Sequence, residues 1–205
     1  MATKTQVIDI IHKVSAAIGE NAQFLTDLDN AIGDGDHGIN LARGFKKVEE
    51  ELPAVADKDI GAILKKVGMT LVSTVGGASG PLYGTAFMKA GDAVKEKEEV
   101  TAEDFIAMLE AGIGGVQLRG KAEKGEKTML DAMIPALDAM REAGTADAKA
   151  MLEAGLKAAK EGVEYTKTII ATKGRASYLG ERSIGHQDPG ASSFTVILET
   201  VANTV

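Results

Sequence analysis

The chain has 205 residues, 44% hydrophobic and 26% charged, a balance that excludes a disordered chain and suits one sizeable domain over residues 1–205. Thirty acidic against 23 basic residues leave a net charge of −7, which argues against nucleic acid or an anionic membrane as the main partner, because either needs a basic face. With no cysteine there is no disulfide, no thiol nucleophile and no zinc site of cysteine type.

The first segment, Met1 to Ile18, carries Lys4, Asp9, His12 and Lys13, so it lacks the unbroken apolar stretch of a signal peptide. No window approaches the length of apolar residues that a membrane span needs, so a cytoplasmic protein without membrane contact is expected. Aromatic residues are only 4% and alanine is abundant, which favours helix, since alanine loses no side-chain entropy there.

In chain order, Val7, Ile11, Val14 and Ile18 fall on one helical face, and Ile39–Leu52 follows as a second helical stretch. Ile60, Ile63, Leu64, Val67 and Leu71 mark a third helix, and Thr85–Lys95 a fourth. Thr101–Leu118 opens on Thr101 as cap, with Glu103 and Asp104 complementing the helix dipole. Thr128–Ala143, Ala148–Lys173 and Ser192–Asn203 complete eight helices, although Phe194–Ile197 also fits a short strand. Strand signals are otherwise nearly absent. The expected class is all-α.

The glycines are unevenly placed. Sixteen of the 24 lie in Gly33–Gly38, Gly76–Gly84, Gly112–Gly125 and Gly174–Gly190, with Pro81 and Pro189 inside two of the clusters. Helix caps need far fewer, so these runs read as loops whose backbone approaches a ligand such as phosphate.

The first cluster interleaves Asp29, Asp34 and Asp36 with Gly33, Gly35 and Gly38, followed by His37. Carboxylates this close repel, and a hard divalent cation with oxygen ligands removes the repulsion. An EF-hand does not fit, because Phe45 stands where its bidentate glutamate would be. Mg²⁺ with a phosphate co-ligand is the better reading. Gly33–Gly38 also satisfies the dinucleotide pattern G-x-G-x-x-G, but Asn21–Ala31 carries no buried-strand signal before it, so that reading fails.

The second cluster, Val75 to Thr85, lies between two helices, and its small residues with the Ser79 hydroxyl make an anion site. It is not a Walker A loop, since no Gly-Lys-Ser/Thr follows. It also misses G-x-S-x-G at Pro81, and a serine hydrolase would need His37 or His186 as the base for Ser79. The third cluster is followed by Lys127-Thr128-Met129 and is weak alone. The fourth, Lys173 to Gly190, is a long non-helical stretch that places Arg175, Arg182 and His186 in an acidic protein, as binding loops and lids do.

Together, Leu28–Gly38, Gly76–Gly84 and Gly174–Ala191 resemble the L (nucleotide-binding) subunit of bacterial dihydroxyacetone kinase, and the helical segments between them are similar to that family along the chain. The resemblance implies a barrel of eight antiparallel helices, with ADP or ATP bound in the loops at one end. It implies that Asp29, Asp34 and Asp36 ligate two Mg²⁺ ions that bridge the phosphates. His37, Gly38, Ile39 and Asn40 with Ala78 and Ser79 would line the phosphate side, and Gly120, Met129, Arg175, Asp188, Pro189 and Gly190 would complete the pocket. Arg175 would offset charge during transfer.

The implied activity is phosphoryl transfer to dihydroxyacetone held on a separate K subunit. A phosphohistidine protein of the phosphotransferase system would recharge a nucleotide that stays bound. The resemblance also allows a homodimer. Two alternatives stay open: a kinase subunit that exchanges free ATP, and a nucleotide-sensing regulatory module without transfer activity.

Overall fold

The computed structural model describes residues 1–205 and contains nine α-helices: α1 (Lys4–Glu20), α2 (Ala22–Ile32), α3 (His37–Glu51), α4 (Ile60–Thr74), α5 (Ser79–Ala93), α6 (Ala102–Gly120), α7 (Leu130–Ala143), α8 (Ala148–Thr166) and α9 (Pro189–Ala202). Short 3-10 helices occupy Leu52–Val55 and Arg175–Ser183. The only sheet pairs two-residue strands, β1 (Ala2–Thr3) and β2 (Glu99–Val100), antiparallel with Ala2 opposite Val100. No helix is long and apolar enough to cross a membrane.

Several helix starts are written locally. Thr3 caps α1 and Thr101 caps α6 in reciprocal boxes with Gln6 and Asp104, while Asp59, Asp147 and Asp188 accept first-turn amides of α4, α8 and α9. Each such cap satisfies donors that a helix leaves orphaned.

Helix packing runs in a closed succession. α1 packs on α3, each of α3 to α8 packs on the next helix, and α9 returns to α1. α2 stands outside that succession, against α3 and α9. One apolar core links the helices through Val7, Ile11, Phe45, Leu64, Met151 and Phe194, among others.

Glycines set how closely the helices approach. On α4 and α5, a methyl on Gly68 would meet the carbonyl of Gly84, and one on Gly61 the carbonyl of Gly91. On α8, a methyl on Gly162 would meet the carbonyl of Asp131 on α7. Gly61 and Gly68 meet Gly91 and Gly84 in reverse order, and the late Gly162 meets the early Asp131, so the partners in each pair run in opposite directions.

Four connections gather at one end, where His37 meets Ser79 and Ser193 and Gly190 meets Met129: residues 33–36 before α3, 75–78 before α5, 121–129 before α7 and 167–188 before α9.

The structure corrects several expectations. Periodicity marks eight helices, and the ninth is α2, whose buried side is Leu25, Thr26, Asp29 and Ile32. Two of those four are polar, so the apolar repeat is broken where the helix faces the Gly33–Gly38 turn. The second glycine cluster is mostly helix, since α5 begins at Ser79, and Gly112, Gly114 and Gly115 lie within α6 rather than in a loop. Gly115 of α6 packs against Thr85 and Lys89 of α5, which accounts for its lack of a side chain. α8 stops at Thr166, not Lys173, and the stretch expected to be non-helical contains the 3-10 helix Arg175–Ser183. Phe194–Ile197 is helical, within α9.

Candidate functional site

The sequence places Asp29 in the last turn of α2, and Asp34 and Asp36 in the turn into α3. One carboxylate oxygen from each lies within 4.8 Å of the others. Asp29 is buried, and its Oδ2 accepts the amides of Asp36 at 2.9 Å and His37 at 3.1 Å. Those bonds fold the turn back over the end of α2. A methyl on Gly33 would come within 2.0 Å of Asp29 Oδ1, and one on Gly35 within 2.0 Å of Asn30 Oδ1. Gly35 also has φ +71°, which an L side chain rarely adopts. The glycines between the aspartates thus let the oxygens crowd the backbone. Three hard oxygen donors on a tight turn fit Mg²⁺ and offer nothing to a softer metal.

His37 is the first residue of α3 and is buried. Its Nδ1 lies 2.8 Å from Ser79 Oγ, at the first position of α5, and its Nε2 lies 2.9 Å from Ser193 Oγ on α9. Ser193 Oγ in turn lies 2.7 Å from the Tyr83 hydroxyl, which donates to the Gly190 carbonyl at 3.3 Å. One imidazole and three hydroxyls therefore tie together the starts of three helices. Burial pushes the His37 pKa down, against the pull of Asp29 and Asp36, and burial pushes the Tyr83 hydroxyl up.

Neither the α3 nor the α5 N-cap residue, Asp36 and Ala78, caps its helix with a side chain. The Ser79 and Gly80 amides find no acceptor within the chain, so α5 presents free donors and the positive end of its dipole.

Ser79 and His37 form the pair that a serine nucleophile needs, yet the far side of the imidazole meets the Ser193 hydroxyl and not a carboxylate.

The remaining predicted residues fall around this centre. Gly38 packs against the carbonyl of Ala22, the Ile39 amide donates to Thr26 Oγ1 at 3.2 Å, and the Ile39 side chain is exposed. Asn40 is buried against Gly76, where a methyl would come within 2.9 Å of its Nδ2. Arg175 reaches in from the last connection, with Nε 2.8 Å from Asp34 Oδ2.

Asp188, Pro189 and Gly190 open α9, and Asp188 Oδ2 accepts the Ala191 amide at 2.7 Å. Burial lifts Asp188 to about 7, against the hydrogen bond from Ala191. Met129 is buried at the start of α7, where a methyl on Gly190 would lie 3.4 Å from its Cβ. Gly120 ends α6 beside Leu82 and makes no contact with the carboxylates.

Sequence reasoning passed over Thr26, Tyr83, Lys127 and Ser193 as site residues. All four are buried polar groups on helices or beside them, with polar partners on other elements of the fold.

Known proteins are similar to the chain along its length. The family model for the DAK2 domain matches residues 31–203. The ADP-binding subunit of the PEP-dependent dihydroxyacetone kinase of Escherichia coli is 47% identical, over 98% of this chain and 96% of its own. The ADP-binding subunit of the PTS-dependent dihydroxyacetone kinase of Lactococcus lactis is 42% identical over all of both chains. The dihydroxyacetone kinase of C. freundii in its native form superposes with a TM-score of 0.76 at 25% identity over 97% of this chain. Its structure in complex with AMP-PNP and Mg²⁺ gives 0.73 at 24% identity, a likeness of fold. This chain spans 34% of the length of that enzyme. A match of this extent, joined to near full-length identity of this order, means that the chain belongs to the DAK2 domain family.

Proposed function

We propose that this chain is the nucleotide-carrying subunit of a dihydroxyacetone kinase, built as a single domain over residues 1–205. It transfers the γ-phosphoryl group of tightly held ATP to dihydroxyacetone on a separate K subunit, ADP stays bound, and a phosphohistidine protein of the phosphotransferase system rephosphorylates that ADP. The names of the full-length relatives, PEP-dependent and PTS-dependent ADP-binding subunits, support the kinase and its donor. The closed succession of α1 and α3 to α9, with neighbours in opposite directions, supports an eight-helix antiparallel barrel whose nucleotide end is the one where the four connections gather.

The observation that carries this reading is the convergence of the Asp29, Asp34 and Asp36 oxygens, at the start of α3, with the linked starts of α5 and α9. Phosphoryl transfer asks a protein chiefly to position the donor and to balance charge. ATP carries about four negative charges, and three carboxylates add three more, so the acidic turn alone would expel it. Asp29, Asp34 and Asp36 are the residues that would hold two Mg²⁺, which supply the compensating charge on the phosphates.

The rest of the site is the chain's own. The Ser79 and Gly80 amides offer donors to phosphate oxygens, with Ala78 at the same helix start. The Ser79 hydroxyl is held in place by His37. Arg175 stands next to the carboxylates, where it balances residual negative charge. Met129, Asp188, Pro189, Gly190 and Gly120 line the part of the pocket beyond the phosphates, with Gly38, Ile39 and Asn40 on the α3 side. The cytoplasm is where such a subunit would meet its two partners.

Mass and metal analysis of the purified chain tests the reading, followed by turnover with a K subunit. Retained ADP with Mg²⁺ after long dialysis, and turnover with the phosphohistidine protein but not with free ATP, is the expected result. Binding without transfer under either donor would instead make the chain a sensing module.

A further inference from the structure

Lys127 is the one lysine with almost no solvent exposure, 1%. Its backbone has φ +61°, a left-handed conformation that favours glycine, so its side chain is kept there at a conformational cost. An ammonium that leaves water needs several oxygen partners, and Lys127 Nζ finds three backbone carbonyls. It donates to Thr166 O at 2.5 Å, His186 O at 2.5 Å and Ile169 O at 3.4 Å. Asp131 and Asp188 are the carboxylates near it.

Those carbonyls are not neighbours in sequence. Thr166 and Ile169 lie where the chain leaves α8, and His186 lies just before it enters α9. One ammonium thus pins both ends of the long connection whose middle carries Arg175. The closure is reinforced by the Gly185 amide on Lys167 O at 2.7 Å, and by the Asp188 amide on Thr166 Oγ1 at 3.0 Å. From the middle of that connection, Arg175 extends to Asp34 at 2.8 Å.

We propose that Lys127 is a positioning residue for nucleotide retention: by closing the base of the connection between α8 and α9, it sets the reach of Arg175 to the carboxylate cluster. This rests on the nucleotide-carrying function above. The ammonium touches neither Arg175 nor the carboxylates, so its effect passes entirely through the connection.

The test is a double-substitution cycle on binding of Mg·ADP by the full chain, with Lys127→Met, Arg175→Ala and both together. Lys127→Met is expected to weaken binding about tenfold, as loss of a supporting contact does. In the Arg175→Ala background it is expected to add little. Hydrogen exchange should quicken in the 167–188 connection and stay unchanged in α4 and α5. Equal losses in both backgrounds, no loss with Arg175 present, or faster exchange throughout the chain would each overturn the proposal.

If Lys127→Met does not fold, the unsubstituted, nucleotide-free chain decides. The Gly185 and Asp188 amides should then exchange roughly a hundredfold more slowly than those of the exposed residues around Arg175. Equal rates would refute the closure. Failure of the unsubstituted chain to bind Mg·ADP would instead sink the nucleotide-carrying function and leave this exchange result standing.

Discussion

His37 Nδ1 lies 2.8 Å from Ser79 Oγ, so the first residue of α3 holds the first residue of α5 across 42 positions of sequence. The contact fixes the hydroxyl beside amides that have no acceptor in the chain. Ser79→Ala is expected to weaken Mg·ADP binding by about tenfold, the scale of one hydrogen bond to a charged group, while transfer keeps its need for Mg²⁺. Calorimetric titration and turnover with a K subunit measure both. Ester cleavage independent of Mg²⁺ and abolished by Ser79→Ala would instead make Ser79 a nucleophile.

Asp34 bonds only to Arg175, whereas Asp29 also holds the turn through two amides. Asp34→Asn should therefore leave the turn intact and lower metal and nucleotide affinity together, by about ten- to a hundredfold. Parallel titrations with Mg²⁺ and with Mg·ADP check the linkage. Unchanged nucleotide retention would count against a ligand role.

The apolar core runs through the helices and contains none of the three aspartates. Chelation of Mg²⁺ should then leave the helical circular dichroism within about a tenth of its starting value, since most helix stability comes from packing of apolar faces. Loss of most of the signal in chelator would contradict this.

Asp188 is buried with a pKa of about 7, raised from 3.8 mainly by burial. A carboxyl raised in the fold binds more protons folded than unfolded, so its contribution to stability is full below about pH 4 and is lost as pH rises through about 7. Asp188→Asn keeps an oxygen for the Ala191 amide and removes the titration. Relative to that variant, the unsubstituted metal-free chain should lose stability with rising pH at up to about 1.4 kcal/mol per unit, and flatten above pH 7. Denaturant unfolding at a series of pH values reads the slope, and parallel curves would refute it.

Gly68→Ala places a methyl against the Gly84 carbonyl between α4 and α5 and should cost about 1–3 kcal/mol, as overpacking does. A lowered urea midpoint at unchanged slope is the expected result.

Much of this architecture was legible in the sequence, because apolar repeats at Val7–Ile18 and Ile60–Leu71 follow the faces that the core buries. The acidic turn was legible for a different reason: glycine must alternate with aspartate where oxygens crowd the backbone. α2 was not legible, since it buries Thr26 and Asp29 and breaks its own repeat. Glycine density also misled around Gly112–Gly115, because close helix approach and ligand approach both ask for a missing side chain. Lys127 and Ser193 were hidden by distance, as their partners lie 39 to 59 and 156 positions away in sequence.

The most direct test is a crystal structure grown with ADP and Mg²⁺. Ions bound by the side chains of Asp29, Asp34 and Asp36, with the phosphates facing the start of α5, are the expected result. Those carboxylates turned to solvent, with nucleotide seated elsewhere, would contradict it.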